Sequence, residues 1–245
     1  MEEKSPLISV VTITFNAAGV ITPTLNSLAA QSFRDFEHIV VDGASSDGTP
    51  QLIARLSPMS DIISEPDKGL YDAMNKGLRC ARGKYVIFMN AGDAFHQADT
   101  LMRYAAAISA SKVDPDIIFG DTVVVDGSRK VLRPRHKTAP ERLDFKSFLN
   151  GMLVCHQAFM VRRDIAPEYN LAYRYSADYE WTLRCIRASK PERNINLHTI
   201  VTDYLTDGLT DKHHRDSLME RFNIMREYYG LLPTIAAHIR FALHL

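Results

Sequence analysis

Cysteine is scarce in this sequence, and its few copies lie far apart. Three cysteines occur in 245 residues, Cys80, Cys155 and Cys185, and none belongs to a C-x-x-C pair. An odd number of scattered cysteines does not build a disulfide framework, and it lacks the spacing of a zinc site. We therefore expect reduced, mostly buried thiols in a cytoplasmic protein.

Three other features are missing, and each argues against a class of protein. Lys and Arg together number 29, as do Asp and Glu, so the formal net charge is zero and no nucleic-acid partner is indicated. No stretch approaches the roughly 18 apolar residues of a membrane-spanning helix. Residues 1–11 lack the basic region and long apolar core of a secretory signal.

Strand and helix patterns alternate over the first hundred residues. The β-branched run LISVVTITF at 7–15 predicts a strand buried on both faces. Thr22-Pro23 predicts a helix start, with Thr as the cap. Further strands are predicted at 37–41, 62–64 and 85–89, and further helices at 50–56 and 71–80. This alternation is typical of an α/β sheet flanked by helices, in which ligands bind at the carboxyl ends of the strands.

The pattern changes after a helix predicted at 100–111. Strands are predicted at 116–120, 122–125, 160–161 and 198–202, and a helix at 178–188. Residues 130–138 are basic, and the stretch up to residue 150 is predicted to be irregular with one short helix. No linker rich in Gly, Ser or Pro and no internal repeat occurs, so we expect one domain over 1–230, with two halves that meet near residue 120. The apolar tail 231–245 predicts a helix that either packs on the body or contacts a membrane surface or partner.

Polar residues follow each of the first four predicted strands, at 14–16, 42, 65–68 and 90–93. Asp42 opens the turn DGASSDGT, where it either caps the turn or accepts hydrogen bonds from a base or a ribose. Lys68, beside Asp67, is placed to meet a phosphate or is simply a solvated residue before the next helix. Asp93 either caps a turn or contacts a divalent cation held mostly by water and phosphates.

The second half offers fewer candidates. His156 and Gln157 stand out in the stretch CHQ. Asp178 opens an amphipathic helix, where it either interacts with the helix dipole or acts as a general base. His213-His214 either lies in a solvated loop or closes on a pyrophosphate or metal.

Five stretches together resemble the family 2 glycosyltransferases of the GT-A fold: VVTITFN (10–16), VVDGASSDGT (40–49), SEPDKGLYDAMNKG (64–77), FMNAGD (88–93) and SADYE (176–180). They most closely resemble the bacterial exopolysaccharide branch that includes the colanic-acid glycosyltransferases. The resemblance implies a Rossmann-like mixed sheet flanked by helices in a single domain. It also implies an inverting enzyme that moves one sugar from a nucleotide-sugar to a hydroxyl acceptor in surface or exopolysaccharide synthesis.

The resemblance assigns a role to each candidate. The halves become a nucleotide-sugar half (about 1–120) and an acceptor half (about 121–230). Asp178 is the catalytic base, Asp93 the ligand of Mg2+ or Mn2+, and a saccharide or lipid-linked saccharide at the inner membrane face is the expected acceptor. Nucleotide-sugar contacts fall to Thr14, Asn16, Asp42, Asp67, Lys68, Asn75 and Asn90, and the donor–acceptor pocket includes His156 and Gln157.

The sequence departs from the usual family pattern at the metal motif. Many members carry Asp-x-Asp where this chain has Asn90-Ala91-Gly92-Asp93, so we expect the cation to be held more weakly. No Gln-x-x-Arg-Trp string follows Asp178, which favours single-sugar transfer over processive synthesis.

Other classes fit the sequence less well. A sugar nucleotidyltransferase or a Rossmann dehydrogenase needs a glycine-rich phosphate loop after the first strand, and residues 15–19 read FNAAG. A catalytically silent nucleotide-sugar-binding module stays open as an alternative.

Overall fold

The computed structural model describes residues 5–206 and 214–243, and the strands in these ranges form one nine-stranded mixed sheet. The strand order is β3-β2-β1-β4-β8-β6-β9-β5, and β7 pairs with β6. The predicted α/β architecture is confirmed. The strands are β1 Ile8–Thr14, β2 Phe36–Asp42, β3 Asp61–Ser64, β4 Tyr85–Phe88, β5 Ala94–Phe95, β6 Ile117–Val125, β7 Val131–Pro134, β8 Phe159–Arg162 and β9 Asn194–Leu205.

The first four strands are parallel, so their carboxyl ends meet at one edge of the sheet. β2 and β4 pair with β1 on either side, and β3 pairs with β2. Every residue of β1 is buried, as the β-branched run predicts. The residues that follow these strands are therefore neighbours at the edge where α/β sheets bind ligands.

Helices cover the sheet, and α3 contacts both β1 and β2. An added Cβ on Gly77 of α3 would lie only 2.3 Å from Cγ1 of Val11, so the glycine permits this close packing. The helices are α1 Ile21–Ala29, α2 Thr49–Leu56, α3 Leu70–Cys80, α4 Thr100–Ala110, α5 Ala177–Ala188, α6 His214–Tyr229 and α7 Leu231–Leu243.

The predicted cap of the first helix is wrong. α1 begins at Ile21, so Thr22 and Pro23 lie within its first turn, and the residue before the helix, Val20, makes no side-chain cap. A turn leads directly into the helix, because the amides of Val20 and Ile21 both donate to the carbonyl of Ala17.

The second half completes the same sheet with antiparallel and parallel pairs. β8 lies antiparallel between β4 and β6, and β9 runs parallel to β6. The two strands predicted at 116–120 and 122–125 are one strand, β6, whose register with β9 shifts near Asp121. The basic stretch predicted to be irregular contains β7, and β9 is longer than predicted at both ends.

Two helices end the described chain. His213 lies outside the described residues, whereas His214 begins α6, a helix that the sequence interpretation as a loop did not anticipate. The helix predicted from residue 231 is confirmed as α7. None of the helices in the described ranges is long and apolar enough to cross a bilayer. The three cysteines are free, and Cys155 and Cys185 are buried, as expected.

Candidate active site

The loops after β1 and β2 are fixed to each other at the carboxyl edge. Oδ1 of Asn16 accepts the amide of Ser46 at 3.0 Å, and the amide of Asn16 donates to Oγ of Ser45 at 2.7 Å. Asn16 adopts a left-handed backbone conformation with φ of 47°, which Asn tolerates better than most residues. The predicted ligand-binding residue Asn16 is therefore exposed at the edge in a defined conformation.

Asp42 is buried and braces the turn that it opens. Its Oδ2 accepts the amide of Ser45 at 2.9 Å and the hydroxyl of Ser64 at 2.7 Å. These contacts agree with the interpretation of Asp42 as a turn residue that also ties β2 to the end of β3. Its contact with a base or ribose stays a prediction.

The carboxylate of Asp67 lies directly against the backbone of Gly43. A Cβ built on Gly43 would stand 2.6 Å from Oδ2 of Asp67 and 3.2 Å from Cδ2 of Phe15. Oδ1 of Asp67 accepts the amide of Gly69 at 2.8 Å. Phe15 is 65% exposed here and was not among the predicted site residues. An aromatic residue at the very end of the predicted buried strand was the available signal.

Lys68 and Thr14 complete the predicted donor side. Lys68 is exposed, and its amide donates to Oδ2 of Asp72 at 3.0 Å, which anchors the loop to the start of α3. Thr14 ends β1 in a buried position, and its Oγ1 has no hydrogen-bond partner within the described ranges.

Asp178 lies at the start of α5 and contacts the donor side through Tyr71. The hydroxyl of Tyr71 donates to Oδ1 of Asp178 at 3.3 Å. Burial and the neighbouring carboxylate of Asp178 raise the pKa of Tyr71 well above its usual value, so the phenol remains a proton donor. Tyr71 is the second residue of α3, just after the loop of Asp67 and Lys68. The predicted base and the predicted donor loop are thus adjacent, although 107 positions separate the two bonded residues.

The loop before Asp178 is held by α6. Glu220 accepts three backbone amides: Oε1 that of Arg174 at 2.7 Å, and Oε2 those of Tyr175 at 2.7 Å and Ser176 at 2.6 Å. Hydrogen bonds to an ionised acceptor are among the stronger kinds. Glu220 was not predicted, because nothing local in the sequence links α6 to residues 174–176.

Asp93 is buried, and both of its oxygens already accept a hydrogen bond. Oδ1 accepts the amide of Leu205 at 2.9 Å, and Oδ2 accepts Nε2 of Gln157 at 2.7 Å. Burial raises the pKa of Asp93 to about 7, against the lowering effect of these two bonds and of Arg129. The predicted pocket residue Gln157 therefore orients Asp93.

The turn that carries Asp93 offers few protein ligands to a divalent cation. Oδ1 of Asn90 is buried without a hydrogen-bond partner in the described part of the chain, so the turn carries one unpaired amide oxygen and one carboxylate. Amide and carboxylate oxygens are ligands that Mg2+ accepts. Within the described ranges, no group of three or more His, Cys, Asp or Glu is arranged to hold a metal. The residues therefore suit a cation that takes most of its ligands from phosphates and water.

Arg129 supplies a positive charge at the same turn. Its Nη1 donates to the carbonyl of Gly92 at 2.7 Å, and its Nη2 lies 3.4 Å from Oδ2 of Asp203. Arg129 directly precedes the basic stretch 130–138, and its position at the edge was not predicted.

His156 and Asn75 lie deeper than the other predicted residues. Nε2 of His156 is 2.7 Å from the hydroxyl of Tyr169, and its ring packs on Phe88 and Trp181. Burial lowers the pKa of His156 to about 4, so the ring is neutral at physiological pH. Asn75 exchanges two hydrogen bonds with the backbone of Tyr169, at 3.0 and 2.6 Å. Both residues join the two halves beneath the edge, and their contact with substrate stays a prediction.

Comparison with known proteins gives matches of two kinds, in sequence and in structure. The family model described as Glycosyl transferase family 2 matches residues 9–169. A PGL/p-HBAD biosynthesis glycosyltransferase of Mycobacterium bovis is 33% identical over 222 residues, which cover 85% of this chain and 82% of that protein. The exopolysaccharide branch expected from the motifs is not shown by these relatives.

Solved structures match over most of the chain. Staphylococcus aureus TarS, in complex with UDP, has a TM-score of 0.69 at 21% identity over 90% of this chain. The match spans 64% of that TarS chain, slightly less than two thirds of its length. A mannosyltransferase from Pyrobaculum calidifontis, in complex with GDP-Man and Mn2+, has a TM-score of 0.63 at 18% identity and covers 98% of this chain and 76% of that one. These likenesses confirm the expected GT-A fold.

Proposed function

The chain belongs to glycosyl transferase family 2, and from that premise we propose that it transfers one sugar from a nucleoside-diphosphate sugar to a hydroxyl acceptor, with inversion at the anomeric carbon. The observation that carries the proposal is the hydrogen bond from Tyr71 to Asp178. It brings the one candidate base of the acceptor half next to the loop that borders the candidate donor site.

The donor side of the proposal rests on the cluster of Phe15, Gly43 and Asp67. An exposed ring beside a carboxylate suits a nucleoside, because the ring offers a face for base stacking and the carboxylate accepts hydrogen bonds from N–H or hydroxyl groups. The exposed ammonium of Lys68 lies next in the chain and suits a phosphate. We assign the nucleoside-diphosphate part of the donor to this cluster.

The proposed reaction is a single displacement. The acceptor oxygen attacks the anomeric carbon, its proton passes to the carboxylate of Asp178, and the bond between that carbon and the diphosphate oxygen breaks with its electron pair on the leaving group. One displacement inverts the configuration. Tyr71 holds Oδ1 of Asp178, so the base has a defined orientation before the acceptor arrives.

A divalent cation, when bound, would neutralise negative charge on the departing diphosphate. Asp93 and the unpaired amide oxygen of Asn90 are the groups of this chain that we assign to Mg2+ or Mn2+. Gln157 and the amide of Leu205 hold the Asp93 carboxylate in place for that role. Arg129 adds a fixed positive charge at the same turn.

We propose a saccharide or lipid-linked saccharide as the acceptor, in the synthesis of bacterial surface polysaccharide or glycolipid at the cytoplasmic side of the membrane. The glycolipid variant is supported by the name of the mycobacterial relatives, which refers to PGL/p-HBAD biosynthesis.

The deciding experiment compares donor binding with turnover. A panel of UDP-, GDP- and dTDP-sugars is screened by thermal shift, and release of nucleoside diphosphate from the best donor is then measured with and without EDTA. Asp178→Asn is expected to lower kcat by at least about a hundredfold, since a general base contributes roughly that much or more, while the donor Kd stays unchanged. The matched control is Asp164→Asn, an exposed carboxylate paired only with Arg162 in the described contacts.

Two results would contradict the proposal. Full transferase activity in Asp178→Asn would remove the base assignment. The proposed function as a whole would be contradicted if the wild-type chain bound no nucleoside diphosphate at millimolar concentration in the presence of Mg2+ or Mn2+.

A silent nucleotide-sugar-binding module is the second candidate, and the enclosure of Asp93 favours it. A carboxylate with a pKa raised to about 7 and one protein donor on each oxygen is a reluctant metal ligand. That candidate predicts donor binding without turnover in any acceptor assay, with Asp93→Asn leaving donor affinity unchanged.

A further inference from the structure

The outer face of α7 is apolar, although it is turned to solvent. Thr234 and Ala237 are completely buried against the body of the protein. The exposed side chains include Leu232, at 80% exposure, and Leu243, at 78%. At 3.6 residues per turn, five exposed residues fall within an arc of roughly 120° on the opposite face. This apolar stripe consists of Leu231, Leu232, Ile235, Ile239 and Leu243.

Such a stripe is unusual on a helix at a protein surface. A surface helix normally turns its apolar residues toward the core and its charged residues toward water. α7 already contacts the core through other residues, so its Leu and Ile side chains are not needed there. Contiguous exposed apolar surface marks a site of interaction with another molecule or a membrane.

Positive charge adjoins α7. Residues 129–146 contain seven Lys or Arg against two Asp or Glu, a net charge of +5 in a chain whose total is zero. Nζ of Lys137 lies 4.4 Å from the centre of the Phe241 ring in α7 and also donates to the carbonyl of Asn150. Arg240 of α7 donates to Oδ1 of the same Asn150 at 3.2 Å. The basic segment 129–146 therefore meets the C-terminal half of α7.

The basic segment carries apolar side chains of its own. Val131 and Leu132 of β7 are about half exposed and are flanked by Lys130 and Arg133, which are exposed as well. Lys and Arg interleaved with exposed aliphatic residues are typical of surfaces that lie on lipid headgroups.

We propose that α7 and the basic segment 129–146 form one docking surface for a bilayer that contains anionic lipids. The stripe enters the boundary between headgroups and acyl chains, and the basic residues contact the anionic headgroups. α7 lies in the plane of that boundary, because 13 residues at 1.5 Å each reach only about 20 Å of the roughly 30 Å hydrocarbon core.

Charge selects the bilayer over a second copy of this chain. Two copies joined through this surface would place one +5 segment near another, and like charges oppose that contact. An anionic surface complements both the stripe and the basic segment. The inference does not depend on the sugar-transfer proposal, since docking is measured without donor or acceptor.

The test is flotation of the full-length chain with lipid vesicles. The wild-type protein is expected to float with vesicles of phosphatidylcholine mixed with phosphatidylglycerol, to bind vesicles of phosphatidylcholine alone far more weakly, and to lose binding as salt rises. Ile235→Gln/Ile239→Gln is expected to lower the partition coefficient at least about tenfold, because two aliphatic side chains that would enter the bilayer are lost. Met59→Gln is the control, an apolar residue that is 92% exposed elsewhere on the surface.

A second variant tests the charge independently. Arg133→Gln/Arg142→Gln removes two exposed basic side chains and is expected to lower binding to the anionic vesicles about thirtyfold, at roughly 1 kcal/mol per charge. Each of two results would overturn the inference: wild-type protein that stays with the soluble fraction, or double variants that bind as the wild type does. A third result would also overturn it: in sedimentation velocity, a wild-type dimer that Ile235→Gln/Ile239→Gln converts to monomer would assign the stripe to a second copy of the chain.

Discussion

Gly43 leaves no room for a side chain on the donor side of the site. An added Cβ would lie 2.6 Å from Oδ2 of Asp67 and 3.2 Å from the ring of Phe15. Gly43→Ala is therefore expected to displace both side chains and to weaken nucleoside-diphosphate binding roughly tenfold or more, since displacements of about 1 Å cost up to a hundredfold at such sites. Isothermal titration calorimetry measures the change in Kd.

The same substitution is expected to leave the melting temperature almost unchanged, because the Asp67 carboxylate can move aside. Gly127→Ala is the matched control, since nothing lies within 4 Å of its added Cβ. Equal donor affinity in Gly43→Ala and Gly127→Ala would show that neither Asp67 nor Phe15 contacts the donor.

His38 gives the fold a dependence on pH. Its ring lies between Thr12 and Ser60, at 2.9 and 2.6 Å, and burial lowers its pKa to about 4 from 6.5. Below pH 6.5 the unfolded chain takes up a proton that the folded chain refuses until about pH 4. The contribution of His38 to the free energy of unfolding therefore falls as the pH drops through this window, by up to about 3 kcal/mol.

Urea unfolding at pH 7.5 and at pH 5 measures this effect in the wild type and in His38→Gln. The variant is expected to be less stable at pH 7.5, because it loses ring contacts, yet to lose less stability on acidification. His156, whose pKa is also lowered to about 4, keeps part of the slope in both proteins. Parallel pH profiles of the two proteins would contradict the assignment to His38.

At the scale of elements, α6 holds the loop that carries the proposed base. Glu220 accepts the amides of residues 174, 175 and 176. Glu220→Gln replaces one acceptor oxygen with an NH2 group, which cannot accept, so this loop and Asp178 after it should shift. We expect kcat to fall about ten- to a hundredfold while the Kd for the donor stays within about twofold.

Glu227→Gln controls for the loss of an acid on the same helix. Within the described residues, the carboxylate of Glu227 accepts only a side-chain hydroxyl, that of Tyr173 at 2.9 Å. Steady-state kinetics well below the melting temperature separate a shift of the base from loss of folded protein. If both variants keep wild-type kcat, α6 does not position Asp178.

Local sequence predicts best those elements whose own residue pattern is sufficient to define a strand or a helix. β1 is a run of β-branched residues and is buried throughout, and α2 begins at Thr49-Pro50 as its turn residues indicate. β7 was not predicted, because its four residues are all exposed and are paired only by β6. α6 was not predicted either, because its many charged residues obscure the buried Ile224 and Met225.

At the scale of the whole molecule, the sequence predicts which edge of the sheet carries the site. It does not predict the hydrogen-bonded residue pairs that hold the site together. Polar residues after parallel strands must meet at one edge, and that follows from chain order. The contact of Asp93 with Leu205 joins residues 112 positions apart, and that of Tyr71 with Asp178 joins residues 107 apart. Such pairs depend on how β9 and α5 pack in three dimensions, which no local pattern encodes.

The shared sheet makes a final prediction about cooperativity. β8 of the acceptor half pairs with β4 of the donor half, and Trp181, the only tryptophan, packs edge-on against Phe88 of β4. We therefore expect the two halves to unfold as one unit. Gly77→Ala in α3 would place a Cβ 2.3 Å from Val11, and it is expected to cost about 1–3 kcal/mol through overpacking.

Trp181 fluorescence reports on the acceptor half, and far-UV circular dichroism reports on the whole chain. In urea, Gly77→Ala is expected to shift both transitions by the same amount, although Gly77 lies in the donor half. Gly120→Ala, at the boundary of the two halves, would place a Cβ 2.7 Å from the carbonyl of Thr199 in the acceptor half, and it should also shift both signals together. The halves would be shown to unfold separately, despite the strands that they share, if Gly77→Ala left the urea midpoint of fluorescence unchanged while the dichroism curve became biphasic.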